Sequence, residues 1–137
     1  MAAPVEVRLR IDHSTMSAVV GNITSKAVQK AGEVSRERYV ANLRSDDLVN
    51  SGKLVNSITT APVPRGILSP AVAIGSPLDY VKYPEFGTRA HGPRRAKALR
   101  FKPKGSSTFV FTKWVRGVRP YGFARRTLDQ IRPTDFV

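Results

Sequence analysis

Apolar and polar positions alternate with a period of two over residues 5–9, where Glu6 and Arg8 separate Val5, Val7 and Leu9. That alternation predicts a short, half-buried strand. The period then changes. Met16, Val20, Ile23, Ala27, Ala31 and Val34 recur every three or four residues, and Ala41 and Leu43 close the run. This spacing predicts a helix over about 15–43 with one apolar stripe, capped by Asp12 or Ser14. Gly21 and Gly32 each weaken that helix by about 1 kcal/mol relative to Ala. A helix this long with two glycines needs a sheet to lie on.

Ser45-Asp46-Asp47 breaks the helix, and residues 51–58 (SGKLVNSI) give one or two short turns. Residues 59–63 and 71–75 read as strands, with turn chemistry at Pro64-Arg65-Gly66 between them. Asp79 can cap a short helix carrying Tyr80, Val81, Tyr83 and Phe86, which Pro84 limits to about one turn. Gly87 suits the residue after it. Leu99 and Phe101 alternate with Arg100 and Lys102, a turn follows at 104–107, and residues 108–115 (TFVFTKWV) alternate again. This predicts a hairpin with an aromatic face. Phe123, Ala124, Thr127, Leu128 and Ile131 form a final helical stripe over about 123–131; Pro133 stops it and leaves a short tail. The expectation is a single α+β domain over 1–137. One long N-terminal helix packs on a mostly antiparallel sheet of about four or five strands within 59–115, with a short C-terminal helix.

Charge changes the picture more than composition does. The 137 residues carry a net charge of +13, with 41% hydrophobic residues and no cysteine. The apolar content is that of a folding chain, and the missing cysteines remove disulfides, thiolate metal sites and cysteine nucleophiles together. No apolar run approaches the ~20 residues of a membrane span, and the first residues lack the layout of a secretory signal. The expected place is the cytoplasm of the producing cell, or a particle assembled there. Residues 1–81 hold nine Lys/Arg against seven Asp/Glu, whereas residues 82–137 hold fourteen against three. That asymmetry predicts a cationic arm over 89–104 directed at a polyanion or an acidic protein surface.

Catalysis has little to stand on. The two histidines, His13 and His91, have no metal-ligand spacing, and no phosphate-cradling glycine loop occurs. Glu85, among Lys82, Arg89, Arg94 and Arg95, reads as an ion-pair partner rather than a general base. No cofactor or metal is expected. Two readings stay level on the residues alone. Clustered cations with aromatics suit a stand-alone nucleic-acid-binding protein; Arg, Tyr and Trp together suit a docking protein.

Four features in this order resemble a family of tailed-bacteriophage neck proteins of the head–tail joining or tail-completion type. They are the long helix; Ser51 to Ile58, similar to T/S-G-x-L-x-x-S-I; Tyr80-Val81-Lys82-Tyr83-Pro84-Glu85-Phe86-Gly87-Thr88, similar to Y-A-x-Y-x-E-x-G-T; and residues 115–124, similar to a stretch ending in P-F-x-x-x-A. The chain departs from the pattern with Gly122-Phe123 for Pro-Phe and Arg116-Gly117 for Pro-Gly. The resemblance implies a non-enzymatic virion protein of the neck. It forms a homo-oligomeric ring, a hexamer in the virion, between the head connector and the tail-tube or terminator proteins, without a membrane. A tail terminator is the close variant. On this reading Tyr80, Tyr83 and Phe86 fix the short helix on the sheet, and Gly87 lets the chain turn before Thr88. Arg89, Arg94, Arg95, Lys97, Arg100, Lys102 and Lys104 then reach a neighbouring subunit, an acidic ring, or DNA in the channel.

Overall fold

The computed structural model describes residues 12–137; the strand expected at 5–9 lies outside them. The expected helix is present as α1, His13–Ser45. Asp12 precedes it in an extended conformation, and its carboxylate accepts hydrogen bonds from the hydroxyls of Ser14 and, at 3.1 Å, Thr15. These bonds hold the Asp12 carboxyl below its ordinary pKa, Ser14 contributing most. A second helix, α2 (Lys53–Ser57), leads into an antiparallel hairpin of β1 (Thr59–Val63) and β2 (Ala71–Gly75). A 3-10 turn at Asp79–Val81 runs into α3 (Lys82–Phe86). Then come β3 (Leu99–Phe101), β4 (Val110–Thr112), α4 (Phe123–Asp129) and a 3-10 turn at Pro133–Phe136.

The core lies under the C-terminal half of α1. Tyr39, Leu43, Leu54, Val55, Ile58 and Phe123 form one buried cluster. The Tyr39 and Phe123 rings meet edge to face at 5.1 Å and 81°. Each such large side chain contributes roughly 1.5–3 kcal/mol by leaving water. The SGKLVNSI segment thus earns its place by packing. Gly52, at φ +78, starts α2 in a conformation that side chains resist; Leu54, Val55 and Ile58 enter the core. The Ser57 hydroxyl lies 2.6 Å from that of Ser76, tying α2 to the end of β2.

The apolar stripe of α1 holds only in part. Ala31 and Leu43 are buried, but Met16, Val20 and Ile23 are exposed. The buried line runs instead through Gly21, Ala31, Gly32, Ser35, Tyr39, Asn42 and Leu43. The two glycines explain the shift, because they are where the β1–β2 hairpin crosses the helix. A Cβ on Gly21 would stand 2.1 Å from Ile67 Cγ2, and one on Gly32 would stand 2.9 Å from Val72 Cγ1. Their loss of helix propensity is offset by close approach.

The sheet differs from the expectation of four or five strands. The described residues hold two separate two-stranded sheets, β1–β2 and β3–β4. Alternation predicts strands but not their partners. The chain leaving α3 turns away at Gly87, so β3 and β4 pair with each other and not with β2. The C-terminus also differs. Pro133–Phe136 is no loose tail: Arg38 of α1 grips the buried Asp135 carboxylate with both guanidinium nitrogens, at 2.5 and 2.8 Å.

Candidate interaction surface

The E-F-G-T segment lies where the chain crosses itself. Glu85 Oε2 accepts the backbone N–H of Ala124 at 3.0 Å, inside the first turn of α4. The Pro84 and Glu85 carbonyls accept the N–H groups of Tyr121 and Gly122. Thr88 N–H donates to the Val118 carbonyl at 2.8 Å, and Val118 N–H donates to Thr88 Oγ1 at 3.0 Å. Between them Gly87, at φ +75, lies so close to residues 118–120 that a Cβ would meet the Val118 oxygen at 2.7 Å. On the facing strand a Cβ at Gly117 would meet the Thr88 oxygen at 1.9 Å. Two glycines therefore let two backbones touch. The segment is a clasp that positions the N-terminus of α4.

This corrects the reading of Glu85. Its carboxylate caps a helix and has no ion-pair partner among the described residues. An acidic group suits that position, because the first N–H groups of a helix lack internal acceptors. Burial pushes the nearby Tyr39 phenol up to about 12, and the negative charge of Glu85 adds to the shift. The departure at Gly122-Phe123 is also accommodated: Gly122, at φ +60, precedes α4 as its cap, and Phe123 is completely buried in the core.

Tyr80, Tyr83 and Phe86 do not fix α3 to a sheet. They are exposed, Phe86 to 77%. Leu78 and Val81 do the anchoring instead, packed against the core. Pro84 holds the turn to one cycle, as its missing N–H requires, and leaves the three rings on the outside.

Beyond the clasp the chain forms a two-stranded ribbon. Thr88 faces Val118, His91 and Val115 exchange backbone hydrogen bonds of 3.1 and 2.9 Å, and β3 pairs with β4 from Leu99↔Thr112 to Phe101↔Val110. The basic arm is thus a loop within a ribbon, with Arg94, Arg95 and Lys97 exposed in the bulge between His91 and Leu99. Arg89, Arg100 and Lys102 are exposed as well. Lys104, at the ribbon's tip, turns back to Asp47 at the end of α1, 2.6 Å from its carboxylate. Asp46, next to it, pairs with Arg126 of α4. The two neighbouring acids that read only as a helix break tie down both the ribbon and the last helix.

The hairpin's aromatic side chains face outward: Phe101, Phe109, Phe111 and Trp114 are all exposed, Trp114 to 60%, as is Val110. Sequence reasoning left them out of the docking surface because strand alternation reads the same for a buried face and an unpaired one. The Arg100 guanidinium lies 3.9 Å from the centre of the Phe109 ring, a cation over a π face.

The described residues hold no cluster of potential metal ligands, and no helix is long and apolar enough to cross a membrane. The family model described as "Bacteriophage HK97-gp10, putative tail-component" matches residues 12–87. The chain belongs to this phage tail-component family. The matched span runs from the start of α1 to Gly87 of the clasp. It gives the chain a structural role in a phage particle, in contact with other phage structural proteins. No curated protein and no solved structure matches the chain.

Proposed function

We propose that the protein is a ring subunit of the phage neck, which completes the tail by joining the DNA-filled head's connector to it through protein docking and without catalysis. Family membership supports the phage setting. The observation that carries the finer reading is a pair of distinct exposed apolar faces. One comprises Met16, Val19, Val20 and Ile23 of α1 with Ile67 and Leu68 of the β1–β2 loop. The other comprises Tyr80, Tyr83 and Phe86 of the 3-10 turn and α3. The first lies beside Gly21 and the second near Leu48 and Val49, past the end of α1 at Ser45; at 1.5 Å per residue Gly21 and Ser45 stand roughly 36 Å apart. A ring subunit meets its neighbours head to tail through two different patches, and residues 12–137 present such a pair within one domain. The cations of residues 89–102 then orient docking more than they tighten it.

Electron microscopy of lysates from a phage lacking this gene tests the proposal. Separate full heads and finished tails are expected. Overlong tails would move the role to tail terminator. Normal joined virions would overturn the neck reading and favour a stand-alone nucleic-acid-binding protein.

A further inference from the structure

The ribbon has one face that neither the clasp nor the core uses. Leu99 and Phe101 of β3 and Val110 of β4 share a side by register, and Trp114 follows in the same alternation. With Val115 they line a shallow concavity whose rim carries His91 and Arg116; by register Arg100 belongs to the other side, opposite Phe111 and over the Phe109 ring. From Arg89 to Arg119 the chain holds ten Lys/Arg and no Asp/Glu. Among the described residues only Lys104 of these has a carboxylate partner. The floor is apolar and open to water, and the rim is cationic.

We propose that this face docks an extended segment of another protein, in which carboxylates alternate with apolar side chains. Four observations select that occupant. A two-stranded ribbon is marginal in water and gains from a further layer on its apolar side. The rim charges seek carboxylates, and complementary charge fixes the register of an apolar contact. A second copy seated through the same strip would bring two sets of cations together, and one seated through its α1 patch would offer no carboxylate, since residues 16–23 and 64–68 hold none. A protein fits better than nucleic acid, because the family places the chain among other phage structural proteins and Leu99, Val110 and Val115 offer aliphatic surface between the two rings, Phe101 and Trp114, on which a base could stack. The proposal does not depend on the neck assignment, since it fixes the chemistry of the partner and not its place in the particle.

Photocrosslinking of the full-length chain tests it. A benzophenone amino acid replaces Phe101, the variant is supplied during infection by phage lacking the gene, and adducts are mapped by mass spectrometry. The expected adduct joins position 101 to an Asp/Glu-bearing apolar segment of a different phage protein. The added substitution Arg116→Glu is expected to lower its yield about tenfold, with thermal melting unchanged. Trp114→Ser, which alters the floor and not the rim, is expected to do the same. An adduct with DNA, with a second copy, or with a segment free of carboxylates would overturn the proposal. So would no adduct, or an undiminished yield in both variants. If the adduct forms while phage lacking the gene still joins heads to tails, the docking face stands and the neck reading falls.

Discussion

Glu85 is a residue whose surroundings mislead. Four cations lie near it in sequence, yet its carboxylate caps α4 through Ala124 N–H. The consequence is a stability role. Glu85→Ala is expected to lower the unfolding free energy by about 1 kcal/mol, the worth of a helix cap. Thermal melting of the isolated protein, with a shift of about 4 °C, is the check; an unchanged melt with failed assembly would instead put Glu85 at a contact between subunits. The glycines teach the same lesson. Gly21 and Gly32 read as weaknesses in a helix, and Gly117 only as the retained half of a Pro-Gly pattern. All three are places where a Cβ would collide with a neighbouring segment. A sequence shows that a side chain is missing, but not what fills the space.

Among the elements, those built from local pattern were legible and those defined by pairing were not. α1, β1, β2, α3 and the start of α4 stand where period and turn chemistry put them. The separation of β3–β4 from β1–β2 was hidden, because strand alternation does not name a partner. The C-terminal turn was hidden for another reason: it is held from 97 residues away, by Arg38 on α1. That latch makes a pH prediction. The hydrogen bonds from Arg38, followed by the Arg132 backbone N–H, hold the Asp135 carboxyl below its ordinary range. A carboxyl depressed in the folded state binds its proton more readily once unfolded. Its stabilisation is therefore complete above about pH 5 and fades as pH falls below about 4. Asp135→Asn is expected to remove this acid-side slope while lowering stability near neutrality. Denaturant unfolding across pH values measures both effects. An identical slope in the variant would show that the latch carries no pH dependence.

For the whole molecule, charge and fold are divided between different stretches of chain. The buried cluster comes from α1, α2 and Phe123, whereas the cations crowd into the ribbon. Replacing Arg94, Arg95 and Lys97 with Gln is thus expected to leave melting within about 1 °C of the parent, as exposed substitutions do, while virion assembly slows. Normal assembly by this variant would reduce the loop to a solubilising feature. The asymmetry of charge was legible from the first reading; its support on a two-stranded ribbon was not, since that depends on Thr88 meeting Val118. That meeting has a further consequence. The ribbon leaves the body and returns to it at one place, with both feet pinned side by side by backbone hydrogen bonds. Residues 89–117 thus join the body through one pair of adjacent feet, with Lys104 to Asp47 as a further tie. The surface they offer can change while the buried cluster, which holds none of them, keeps its contacts.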